Sequence, residues 1–130
     1  MIKTSLQAGL SQLQALASYI DQGSQDAAFI IYGDTKPDSV SVAANPSAEL
    51  IRLNLPKPCL RSINTDSITL RSTDAAMAIK AGVAVWARLY NGNQDPVADF
   101  SFGTDIAILN PEIAIGSTLM FNTITLRPSI

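Results

Sequence analysis

The sequence predicts a mainly β fold, an antiparallel β-sandwich of about eight short strands preceded by one N-terminal α-helix. Three observations carry that prediction. Only the first twenty-odd residues space their apolar side chains at a helical period. After Gln25 the apolar residues fall in short runs, several of them alternating, as half-buried strands do. Gly, Pro, Asn and Asp then punctuate those runs at intervals of about ten residues.

The helix comes first. Leu6, Leu10, Leu13, Ala17 and Ile20 lie on one face, and Leu16 widens the stripe. Thr4 with Gln7 reads as a capping box, in which hydroxyl and amide satisfy free backbone donors. Gly23 supplies the stop, because it takes a left-handed conformation without a Cβ penalty. The face is expected to pack on the domain's own core, although the spacing also fits about two coiled-coil heptads.

The β region follows as residues 26–130 of a single domain, 1–130, with the helix in 1–23. Ala27–Tyr32 (AAFIIY) is a short apolar strand ended by Gly33-Asp34. The loop Lys36–Ser47 is polar and carries proline. Glu49–Leu55 alternates, with Ile51, Leu53 and Leu55 on one face, and Pro56 and Pro58 end it because proline cannot donate to a ladder. Ser67–Arg71 turns Ile68 and Leu70 inward, and Thr73–Lys80 reads as a helical turn or a linking loop.

Val83–Tyr90 reads as one strand, with Val83, Val85, Ala87 and Leu89 opposite Ala84, Trp86, Arg88 and Tyr90. Asn91-Gly92-Asn93 supplies positive-φ residues for a tight hairpin. Val97–Phe102 returns, with Phe100 and Phe102 on one face and Asp99 and Ser101 on the other. Asp105–Leu109 and Glu112–Ile115 are short strands. The last strand, Thr118–Leu126, changes apolar phase between Phe121 and Ile124, which predicts a bulge or burial on both faces.

Composition bounds the function. Charged residues make up only 15% of the chain and apolar residues 47%, against about 25% charge in an average soluble domain. A surface so poor in charge fits one that is partly covered by neighbours. The nine basic residues are scattered singly and the net charge is −2, so nucleic acid is not an expected partner, since phosphate binding needs cations gathered on one face. One cysteine cannot form an internal disulfide, and folding in a reducing cytoplasm is expected. Glutamines at Gln7, Gln12 and Gln14 break up any signal-peptide core, and no apolar run reaches the ~18 residues of a membrane helix.

Chemistry is hard to place on this chain. The absence of histidine removes Ser-His-Asp and Cys-His catalysis and most zinc sites. Cys59 has no neighbouring base or cation to activate it and reads as a structural thiol. Most acids sit at turns or helix ends, where aspartate bonds nearby backbone. Asp99 and Glu49 are taken as strand acids, both expected to face solvent, and they are the pair on which a carboxylate hydrolase would be centred. No dinucleotide or P-loop motif occurs, and no cofactor, metal or small-molecule ligand is expected.

Trp86, Arg88 and Tyr90 share one strand face. Such a row can stack on a sugar ring or serve a protein interface, and it can equally be a core tryptophan beside a rim arginine and a strand-end tyrosine. The expected interface residues are therefore Leu6, Leu10 and Leu13 on the helix and Trp86, Arg88 and Tyr90 on the strand.

Three stretches also carry a resemblance. FIIYGDTKP (Phe29–Pro37), GVAVWARLYNGNQDPVADFSFG (Gly82–Gly103) and IAIGSTLMFNTITL (Ile113–Leu126) resemble elements of small bacteriophage and prophage structural proteins. In those proteins a G-x-A-x-W-x-R strand precedes a Gly/Asp turn and a terminal strand pair follows. The residues between Lys36 and Ser47 and between Pro56 and Thr73 lie outside that pattern. The resemblance implies a virion component with a β-sandwich and no enzymatic site, touching other virion proteins and copies of itself in the head, neck, tail or baseplate. The alternative is a carbohydrate- or receptor-binding module using the Trp86 and Tyr90 face.

Overall fold

A computed structural model describes residues 4–103, 105 and 111–128. Helix α1 covers Leu6–Ile20. Its N-cap is Ser5, whose hydroxyl accepts from the Ala8 amide at 3.2 Å, and not Thr4. A start at Leu6 puts Gln7 at the second helical position, one short of where a capping box needs it. Ala17 and Ile20 are buried, and Leu10, Leu13 and Leu16 pack half-buried on the domain's own core.

The strands are β1 (Ala27–Tyr32), β2 (Glu49–Leu55), β3 (Leu60–Ile63), β4 (Ile68–Leu70), β5 (Ala76–Met77), β6 (Gly82–Val83), β7 (Trp86–Tyr90), β8 (Pro96–Ser101), β9 (Glu112–Ile113), β10 (Thr118–Leu119) and β11 (Ile124–Leu126). A 3-10 turn, Pro46–Ala48, leads into β2. The main sheet has the order β2-β1-β7-β8 and a second has β11-β4-β3, while β5/β10 and β6/β9 are two-stranded. Every pairing is antiparallel. The protein is mainly β with one N-terminal helix, as the sequence predicts.

One face of the main sheet makes the core. Phe29, Ile31, Ile51, Leu53, Leu55, Ala87 and Leu89 pack with Ile68, Leu70 and Ile124 of the second sheet and with the end of α1. Phe29 stands among aromatic rings, edge-on to Phe121 at 5.4 Å and tilted to Phe100 at 5.7 Å. Such pairs add about 0.5–1.5 kcal/mol beyond their buried area.

Four sequence expectations are corrected. Val83–Tyr90 is two strands, because the chain changes partner at Ala84 and Val85: β6 pairs with β9, Val85 donates to Tyr32 O, and β7 then pairs with β1. Thr73–Lys80 contains strand β5 and no helical turn. The phase change near Phe121 marks a break between β10 and β11, where Phe121 and Thr73 exchange hydrogen bonds. In the hairpin loop the positive φ falls on Gln94, at 69°, and not on residues 91–93. There the buried Asn91 side chain accepts from the Asn93 and Asp95 amides and shapes the turn. Beyond Asp105, the strand expected over Asp105–Leu109 lies outside the described residues.

The turn after α1 meets the β7–β8 turn at two glycines. A Cβ on Gly92 would stand 2.1 Å from the Gln25 carbonyl oxygen and 2.5 Å from that of Gln22, and one on Gly23 would stand 2.2 Å from the Gly92 carbonyl carbon. Backbone cannot yield there as a side chain would. Gly92→Ala should therefore lower the unfolding free energy by about 1–3 kcal/mol, read from urea denaturation.

Candidate functional site

The second face of the main sheet holds the residues that the sequence marks for contact. Side chains alternate along a strand, so Tyr32 and Ile30 from β1 meet Trp86, Arg88 and Tyr90 from β7 on the side away from the main core. Tyr32 stacks on Trp86 with ring centroids 4.5 Å apart. Tyr32 and Tyr90 hydroxyls share a 3.3 Å hydrogen bond. The Arg88 guanidinium lies 5.2 Å from the Trp86 ring centroid, within cation–π range.

This face is closed. Residues 34–48 cross it as a strap, with Ala44 and Ala48 packed on the aromatic cluster. Trp86 is 0% and Arg88 1% exposed, so the expected rim arginine is a buried one. Its donors explain the burial. Nε and Nη2 grip Asp99 at 2.7 and 3.1 Å, while Nη1 donates to Val42 O at 2.7 Å and Nη2 to Ser39 O at 3.4 Å. Trp86 Nε1 donates to Asp34 at 2.9 Å and anchors the strap's start. Hydrogen bonding to Asp99 chiefly raises the Arg88 pKa above its already high value. Burial, then the bond to Tyr90, pushes the Tyr32 phenol well above its ordinary value. At neutral pH the cluster holds one buried ion pair beside the protonated Tyr32 phenol.

Asp99 does not face solvent. It is the register partner of Arg88 and its carboxylate is occupied. Glu49 lies on β2, at the opposite edge of the sheet from β8. Three strand spacings of about 4.8 Å separate such edges, ~14 Å in all, beyond the ~5–9.5 Å that a glycosidase pair spans. The two acids cannot act together on one bond. Among the described residues no three His, Cys, Asp or Glu side chains gather as metal ligands would.

Cys59 is fully buried and its thiol lies 3.4 Å from the Ala17 carbonyl oxygen, to which it donates. Its backbone amide donates to Asp21 at 3.0 Å. Burial, reinforced by the Asp21 charge, pushes the thiol pKa up to about 12.

The helix candidates Leu6, Leu10 and Leu13 are half-buried, and Leu10 and Leu13 lean on the core. Larger apolar exposure lies elsewhere. Met77, Ile79, Val83 and Ile115 are 63, 60, 52 and 72% exposed. They belong to segments that bond to one another, with Ala78 donating to Ser117 O and Gly116 to Ala78 O, and Gly82 paired with Ile113. Sequence reasoning passed over this patch, although its signal was present. In Ala76–Ile79 the small residues turn inward and the large ones outward, the reverse of a strand that serves only its own core. No helix among the described residues is long and apolar enough to cross a membrane. Comparison with protein-family models, curated proteins and solved structures finds no match to this chain.

Four outcomes are expected. Arg88→Met or Asp99→Asn alone should cost about 3–5 kcal/mol, because each leaves the other group buried without its partner. The joint change Arg88→Met with Asp99→Asn should cost less than the two single changes summed, measured as a double-mutant cycle in urea. For Cys59, the folded pKa lies above the ordinary 9.0, so the folded state keeps the proton longer than the unfolded chain. That contribution is complete below pH 9 and falls by up to about 1.4 kcal/mol per pH unit toward pH 12. Cys59→Ala should remove this part of the alkaline slope, and the native thiol should resist iodoacetamide at pH 8.

Proposed function

We propose that this chain is a non-enzymatic structural protein of a bacteriophage virion, working by protein–protein contact with other virion proteins and with copies of itself. The observation that carries the contact reading is the exposure of Met77, Ile79, Val83 and Ile115 on segments that pair with one another. Large apolar side chains left in water on paired segments are what an assembly surface offers a neighbour. Low overall charge agrees with this, and the virion assignment rests on the sequence resemblance around Phe29–Pro37, Gly82–Gly103 and Ile113–Leu126.

The strap weighs against the recognition-module alternative. A sugar or receptor would need the Trp86 and Tyr90 rings, and Trp86 is sealed beneath residues 34–48 in this conformation. The carboxylate-hydrolase alternative needs Glu49 and Asp99 together, and they stand on opposite edges of the main sheet.

The test is quantitative mass spectrometry of purified particles from a phage or induced prophage carrying this gene. The protein should be present at a fixed copy number per particle, and its absence would overturn the reading. Ile79→Lys with Ile115→Lys should leave the fold intact, since both side chains are exposed, and reduce incorporation at least tenfold.

A further inference from the structure

The second sheet carries a feature that neither the aromatic face nor the apolar patch explains. A groove of about 440 Å³ opens on it, lined by Pro56, Arg61, Arg71 and Ser72. Arg71 follows β4 and donates its amide to Cys59 O at 2.8 Å. Arg61 is the extra residue of β3, between the register pairs Leu60↔Leu70 and Ser62↔Thr69. A bulge re-aims the side chain it carries, and both arginines are exposed at the same groove.

Their surroundings lack compensation. Among the described residues the only ion pair within 4 Å is Arg88–Asp99, so neither guanidinium of the groove has a carboxylate partner. Like charges on neighbouring strands repel, and a chain with only nine basic residues has nonetheless placed two of them together. Ser72 donates its hydroxyl to Asn122 O at 2.6 Å, which leaves the guanidiniums as the groove's free donors. Arginine presents a planar fork that fits the paired oxygens of a carboxylate or a phosphate.

We propose that the Arg61–Arg71 groove binds an oxyanion group, a carboxylate or a phosphate, through the two guanidiniums. The register shift at Arg61 accompanies its place in the same groove as Arg71. This inference is independent of the virion reading, because it concerns a ligand group that the isolated chain should bind.

The test is a titration of the full-length chain followed by amide ¹H–¹⁵N spectra. Inorganic phosphate and succinate are added separately, each against sodium chloride at matched ionic strength. Saturating shifts at residues 60–62 and 70–72, beyond the chloride control, are expected with at least one anion. Phosphate alone would assign a phosphoryl group, and succinate alone a carboxylate; equal saturation would mean that the groove reads only the shared oxyanion. Arg61→Gln and Arg71→Gln should each weaken binding at least tenfold, as loss of a charge-assisted donor pair does. Both residues are exposed, so the remaining spectrum and the Tm should be unchanged. Arg61→Glu, which replaces repulsion with attraction, should abolish binding with a Tm equal to or above the parent's. Shifts identical to the chloride control, or surviving in both glutamine variants, would overturn the proposal.

Discussion

The Arg88–Asp99 pair is the constraint around which the outer layer is arranged. A guanidinium taken out of water loses several kcal/mol of hydration, which only close and complete hydrogen bonding offsets. Here the same side chain bonds a carboxylate on β8 and two carbonyls of the strap. Strand, neighbouring strand and crossing segment are thus tied at one point. The strap needs this tie, because none of residues 34–48 is fully buried and Ala44 and Ala48 are its main apolar contacts. It is held through the Val42 and Ser39 carbonyls and the Asp34 carboxylate, and hardly by hydrophobic area.

That arrangement settles what the aromatic row does in this conformation. Tyr32, Trp86 and Tyr90 form a second, smaller core with Ile30, separated from the main one by the sheet. A wall tryptophan and a binding tryptophan look alike in one dimension, and the difference lies in what crosses above them. The chain's accessible character is displaced to two other places, the apolar end built by β5, β6, β9 and β10, and the paired guanidiniums on the second sheet. One offers dispersion and dehydration to a partner, the other offers directed charge. Neither uses the residues that composition and chemistry first single out.

How much of this could be read from the chain depends on how local each feature is. The helix was legible because Leu6, Leu10, Leu13, Ala17 and Ile20 encode their period within one segment. So were β1 and β2, and the inward phase of Ile51, Leu53 and Leu55. The break at Ala84 was not, because the change of strand partner there leaves the apolar alternation unbroken, whereas the break after Leu119 shows only as the phase change near Phe121. Arg88's burial was illegible for a different reason: two of its acceptors are backbone carbonyls of Ser39 and Val42, which any sequence would provide. The cap moved from Thr4 to Ser5 because two adjacent hydroxyls offered equal local chemistry and the helix start decided between them. The Arg61–Arg71 pairing depends on a single bulge, below what periodicity can resolve.

Strand β1 has one more implication, for the making of the protein. AAFIIY is paired on both edges and buried on both faces, yet the hydroxyls of Tyr32 and Tyr90 that finish its outer side are 58 residues apart in sequence. Topologies dominated by such distant pairings fold slowly, often over milliseconds to seconds. Until β7 has been synthesised and docked, a six-residue uncharged segment without proline stands with an open edge, the composition from which cross-β stacking grows. Expression at high yield would thus be governed by chaperone access to this nascent segment and by the rate of translation through Tyr90.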